Sequence, residues 1–250
     1  MNRQSQAAVL FLLGTALLHA GTTDLYLRYV KAGLRPLLLA SGAILIVTAL
    51  ATAWYERRRA KEEHDHGHDG GPEREHDHGH THPEPRISWL LVLPLLALIL
   101  VAPPALGSYS ATRTGTALQE PLAYPALPAT DPLPLGIVDY AGRAVYDHGR
   151  TLEGRRVRLT GFIALDRDGT PYLVRMALNC CAADAQPVKV ALTGAIPPVL
   201  QPDAWLTVTG TYTPRQARDP VNNGPIPYLE VTAAKPTPEP RDPYDESYNN

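Results

Sequence analysis

Three long stretches of this 250-residue chain, 4–23, 36–55 and 87–112, contain no Asp, Glu, Lys or Arg. A helix crossing the hydrocarbon core of a bilayer needs about 20 mostly apolar residues. The stretches therefore predict three membrane spans, at about 7–27, 34–54 and 88–106. Trp54 and Tyr55 end the second as interfacial anchors. In the third, Trp89 lies near the start, Pro94 is a candidate kink and Pro103-Pro104 is the stop. The first, between Arg3 and Leu-His-Ala-Gly, could instead be a cleaved signal peptide. Its short connection to the second suits a helical hairpin. His19 and Asp24 could be intramembrane ligands. The simpler reading, which we adopt, packs His19 in the bundle and puts Asp24 at the interface.

Basic residues set the orientation. With three spans, one side holds Arg3, Arg57, Arg58, Arg59, Lys61, Arg74 and Arg86, and the other holds Arg28, Lys31 and Arg35. The richer side is expected to be cytoplasmic, so everything after about residue 108 is expected to be extracytoplasmic. Without a third span the C-terminal domain would be cytoplasmic.

Within the expected disordered loop 56–86, seven of the nine histidines cluster: His64, His66, His68, His76, His78, His80 and His82. Asp65, Asp69, Glu73, Glu75 and Asp77 interleave with them. Such a tract cannot bury a core. Its imidazoles and carboxylates suit borderline cations such as Zn²⁺, Ni²⁺, Co²⁺ and Cu²⁺. It reads as a metal buffer or sensor, or as a solvated loop that binds metal only as any His-rich peptide does.

The rest is expected to be soluble. A Pro-rich linker (108–134) precedes a β-rich domain (135–235) and a disordered tail (236–250). The domain opens with a helix at 135–148. Strands follow at 156–165, 172–178, 188–192, 205–212 and 228–232, with 166–170 (DRDGT) as a hairpin turn. Asp166, Asp168 and Gly169 lack the further ligands of a calcium loop. Five strands without long helices predict a small all-β, OB-like barrel. The net charge of −2 and the absence of a basic, aromatic-laced stripe exclude a nucleic-acid binder.

Both cysteines fall together in Asn-Cys-Cys-Ala-Ala-Asp, 179–184. Asn179 is a candidate N-cap for one helical turn over 180–185, which brings Asp184 within reach of Cys180 and Cys181. A helix N-terminus would lower a thiol pKa. A disulfide between neighbours is disfavoured, because their Cα atoms stand only about 3.8 Å apart. The pair could be a metal site with Asp184, a redox pair, or structural. His148, the only histidine beyond residue 82, is the candidate missing ligand.

The chain resembles the YcgQ-like family of predicted permease subunits. The resemblance is carried by 29–50 (YVKAGLRPLLLASGAILIVTAL), the His-rich loop and the third apolar stretch. In the domain it is carried by 154–165 (GRRVRLTGFIAL), 172–190 (YLVRMALNCCAADAQPVKV) and 205–210 (WLTVTG). The resemblance implies a bacterial membrane protein partnered by a larger permease subunit, with Cys180, Cys181 and Asp184 as signature positions of unassigned role. Three functions follow as expectations. The first is an accessory subunit of a permease that handles a transition metal such as zinc through its His-rich loop. The second is an extracytoplasmic binding or scaffold domain, and the third a thiol-redox protein. No paired carboxylates, Ser/His/Asp set or phosphate loop stands out, so a non-enzyme is expected.

Overall fold

A computed structural model of the chain describes residues 3–65 and 103–246, with five isolated positions between 93 and 101. His66, His68, His76, His78, His80, His82 and most of the expected third span lie outside the described residues. Contacts divide the chain into two units, Met1–Thr23 with Gly33–Pro103, and Asp24–Ala32 with Pro104–Asn250.

The first unit contains α1 (Arg3–Thr22) and α2 (Arg35–Asp65). Both are long and apolar enough to cross a membrane, over Ser5–Thr22 and Ala32–Arg59. His64 falls in the last turn of α2. The helices pair as an antiparallel hairpin on small residues. A Cβ added to Gly14 would lie 2.7 Å from Ile46 Cγ1 and 2.8 Å from the Gly42 carbonyl, and one on Gly21 would lie 2.8 Å from Leu39. Such close backbone approach is how apolar helices associate where water provides no driving force. The hydroxyls of Thr15, Ser41, Thr48 and Thr52 each donate to the carbonyl four residues back, so none is left unsatisfied. Leu37, Ile44, Val47 and Leu50 are exposed. Beyond them Arg58 stacks 3.8 Å over Trp54. The first span was expected to reach residue 27, but α1 stops at Thr22. Asp24–Arg28 instead form a 3₁₀ turn in the second unit.

The second unit is a small five-stranded closed barrel. Its strands are β2 (Arg156–Leu165), β3 (Pro171–Leu178), β4 (Gln186–Gly194), β5 (Trp205–Arg218) and β6 (Pro225–Pro236). They run β2-β5-β6-β4-β3 and close through β2–β3 pairing. All neighbours are antiparallel except β4–β6. The expected DRDGT turn links β2 to β3, with Gly169 at φ +84 where an L side chain is strained.

The helix expected at 135–148 forms as α4 (Ile137–Val145), following the short α3 (Ser108–Arg113). Its Ile137, Val138, Tyr140, Ala141 and Ala144 are buried in the core with Leu159, Leu173 and Val190. It seats on Gly161 of β2, where a Cβ would come within 2.6 Å of Ile137 Cδ1.

Two flanks differ from the sequence reading. Residues 108–134 are no extended linker but a strap on the barrel. Ala111 of α3 and Leu133 of β1 (Leu133–Pro134) are fully buried. The Thr116 N–H donates to Asp219 Oδ2 at 2.9 Å, and Lys189 Nζ donates to the same oxygen at 2.7 Å. Polar groups that a disordered linker would leave in water are thereby paired inside. The tail is structured as far as Glu246, because Tyr244–Glu246 form β7 parallel to β3. Asp245 accepts from the Ile137 N–H at 2.9 Å and from Arg175 Nε at 3.2 Å. It thus caps a helix whose own N-cap, Gly136, has no side chain to do so.

Candidate functional site

The loop from β3 to β4 carries the two cysteines. It leaves the sheet at Leu178, passes through Asn179, Cys180 and Cys181, makes one 3₁₀ turn over Ala182–Asp184 and re-enters at Gln186. The expected helical turn over 180–185 capped by Asn179 is not what forms. Cys181 is extended (φ −154, ψ 168) and precedes the turn as its N-cap without a side-chain hydrogen bond. The capping runs the other way. The Asp184 carboxylate folds back, taking the Asn179 N–H on Oδ1 and the Cys180 N–H on Oδ2, each at 3.0 Å.

The expected grouping of Cys180, Cys181 and Asp184 does form. One ligand atom from each lies within 4.8 Å of the others. Cys180 Sγ–H donates to Asp184 Oδ2 at 3.0 Å, and the two sulfurs are 3.7 Å apart, unbonded. Two sulfurs on one tetrahedral zinc, each at about 2.3 Å, would stand about 3.8 Å apart. Cys180 is exposed and Cys181 half-buried, so the corner opens to solvent.

The electrostatics reverse the expected thiol activation. The Asp184 carboxylate, helped by the Cys181 thiol, pushes the Cys180 thiol up to about 12. A negative acceptor favours the protonated donor. Burial is the largest influence on Asp184 and would raise its pKa. The hydrogen bonds from the Cys180 thiol and the N–H groups of Cys180, Asn179 and Cys181 together outweigh it, so the carboxyl lies below its ordinary value.

Sequence reasoning missed who holds this corner from outside. Residues 29–31, in the connector between α1 and α2, pair with it as an isolated antiparallel bridge centred on Val30 and Cys181. The Lys31 N–H donates to the Cys180 carbonyl at 3.0 Å, and the Ala182 N–H donates to the Tyr29 carbonyl at 2.8 Å. Lys31 Nζ also pairs with Glu246 of β7 at 3.2 Å. Backbone pairing of this kind involves no particular side chain, so no local motif announces it. Next to Asn179 and Asp184 lies a cavity of about 80 Å³, lined also by Gln119 and Gln186.

His148 does not join the thiols; among the described residues their cluster holds only Asp184 besides. It lies past the end of α4 with φ +51, its carbonyl accepting from the Tyr212 hydroxyl at 3.2 Å. Asp166 and Asp168 serve the hairpin turn, taking the N–H groups of Arg167 and Thr170.

A closed five-stranded barrel displaying an exposed Cys-Cys-Asp corner, in a chain that begins with two apolar helices, is the class these features define. Residues 140–245 match the family described as the DUF1980 C-terminal domain. The match takes in most of α4, the whole barrel, the cysteine corner and most of β7, and is consistent with the YcgQ-like resemblance. No curated protein and no solved structure matches the chain.

Proposed function

We propose that the chain is a membrane-anchored accessory subunit of a larger permease that handles a divalent transition metal such as zinc. The barrel, OB-like in its strand order, presents Cys180, Cys181 and Asp184 as a capture site on the extracytoplasmic side. The His-rich loop buffers or senses the same class of ion on the cytoplasmic side. One observation carries the metal reading: two thiols and a carboxylate converge within 4.8 Å, with the sulfurs 3.7 Å apart, near the span of a tetrahedral ion. A thiol-redox role is less well supported: Asp184 holds Cys180 protonated, and whereas a bound metal itself displaces the thiol proton, nucleophilic attack needs the thiolate already formed.

The sidedness has its own support. The connector Asp24–Ala32 belongs to the barrel unit, so the two share one side of any membrane that α1 and α2 cross. The cluster Arg57, Arg58, Arg59 and Lys61 follows the second crossing, on the other side. Returning to the barrel then takes a third crossing, for which 87–106 is the apolar stretch available.

The test is to purify the full chain from detergent with whatever co-elutes, dialyse it against Zn²⁺ and count bound metal. A variant with all seven loop histidines changed to alanine should keep about one zinc per chain. Adding Cys180→Ser and Cys181→Ser should remove that zinc. Equal metal content with and without the cysteines would defeat the barrel half of the proposal. Recovery without a multi-span partner would defeat the subunit half.

A further inference from the structure

The metal reading above leaves open whether the corner would lock an ion in place or pass it on. We infer that the Cys180–Cys181–Asp184 corner is an exchange site, supplying three of four tetrahedral positions to a zinc-class dication and leaving the fourth for a neutral nitrogen ligand, an imidazole, from outside the chain. This rests on the metal reading just given.

Structural zinc sites close around the ion with four protein ligands, whereas three protein ligands leave a replaceable water. Among the described residues the cluster stops at three. The topology proposed above puts the His-rich loop on the other side of the membrane. Exposure agrees, since Cys180 lies at the surface where an incoming ligand can reach the ion.

The three donors are nonetheless held firmly. Asp184 Oδ1 takes the Asn179 N–H, and Oδ2 takes the Cys180 N–H while facing the Cys180 thiol. These backbone hydrogen bonds orient the carboxylate as outer-shell partners do at metal centres. The backbone on both sides of Cys181 is pinned by Tyr29 and Lys31 through the Cys180 carbonyl and the Ala182 N–H. The corner is therefore arranged before the ion arrives, and binding has little chain to order.

Charge selects the fourth ligand. On entry the two thiols release their protons to solvent and the ion sheds all but one of its waters. Two thiolates and one carboxylate on a dication leave a net charge of −1. A further anion is then repelled, while neutral imidazole can replace the water with no change in charge or oxidation state.

The experiment uses the full chain in detergent with the seven loop histidines replaced by alanine, titrated with Co²⁺ as a spectroscopic stand-in for zinc. One equivalent should produce a thiolate-to-cobalt charge-transfer band with tetrahedral ligand-field bands. Imidazole should then shift the ligand-field bands saturably at one per cobalt while the charge-transfer band persists. Cys181→Ser should remove about half of the charge-transfer intensity, since one of the two thiolates is lost. Absence of the charge-transfer band would overturn the metal reading itself. A band that ignores imidazole, or that saturates at half an equivalent because two chains share one ion, would overturn the open position while leaving the metal reading intact.

Discussion

Replacing Asp245 with alanine tests whether the C-terminal tail is part of the barrel's architecture. Its carboxylate caps α4 at the Ile137 N–H (2.9 Å) and pairs with Arg175 Nε (3.2 Å). Arg175 is a β3 residue only 9% exposed. Its other contacts are the carbonyls of Asp242 and Tyr244 and the face of Trp205, 5.2 Å away. Its Nη1 has no partner among the described residues. Removing one member of a buried pair typically costs about 3–5 kcal/mol, and losing an N-cap about 1 kcal/mol. Two carbonyl bonds remain to Arg175, so the lower end applies, about 3–4 kcal/mol in all. At roughly 2–4 °C per kcal/mol for a domain of this size, the melting temperature should fall by about 10 °C. Asp245→Asn keeps an oxygen for the cap and should lose about half as much. Glu246→Ala removes a partner that is 58% exposed, and should cost under about 1 kcal/mol. The assay is thermal unfolding of the detergent-purified chain followed by Trp205 fluorescence, with Trp54→Phe and Trp89→Phe removing the other two tryptophans. Asp245→Ala melting within about 2 °C of the parent would refute the reasoning, because no docked tail could then be holding α4 and Arg175.

Three further outcomes are expected. Asp184→Asn removes the charge that holds the Cys180 thiol near 12, letting it fall toward the ordinary value of about 8.5; iodoacetamide labelling of Cys180 at pH 8 should then rise about tenfold or more. The sign follows because a raised thiol pKa keeps the unreactive form up to higher pH. Lys189→Met leaves the fully buried Asp219 carboxylate with the N–H groups of Thr116 and Val221 but no counter-ion, and should cost about 3–5 kcal/mol in denaturant titration, with Asp219→Asn added on top recovering much of the loss. Gly14→Leu forces α1 off Gly42 and Ile46, and overpacking of about 1–3 kcal/mol should lower the temperature at which helical circular dichroism is lost.

The parts legible in sequence are those whose physics is local. Alternation marked the first barrel strand, since in β2 Val157 and Leu159 are fully buried while Arg156 and Arg158 are exposed; β3 and β4 are buried on both faces and read instead as short apolar runs. The Asp-Gly turn was equally plain, since only a few residue types accept the left-handed backbone. Strand ends were misjudged where proline hides a strand. The sequence reading stops β5 at 212, but it runs on to Arg218 because Pro214 sits in the bulge between Thr213 and Gln216, where no ladder donor is needed. β6 begins at Pro225 rather than 228 in the same way.

What stayed illegible is the long-range polar wiring, and the candidate site depends on it. Spacing alone put Asp184 within reach of Cys180, yet spacing could not tell that its carboxylate would raise the thiol pKa instead of a helix N-terminus lowering it. That outcome turns on one loop leaving the helical path at Cys181. The loop is held there by backbone pairing with Tyr29 and Lys31, about 150 residues earlier in the chain. A hydrogen bond between main chains leaves no residue signature, just as Asp245 capping a helix 108 residues away leaves no periodicity. The family match over 140–245 contains both cysteines and Asp184 but not residues 29–31. The cysteine corner is therefore completed by the connector between two apolar helices. A barrel expressed without it would keep the three donors and lose the strand that holds them in register.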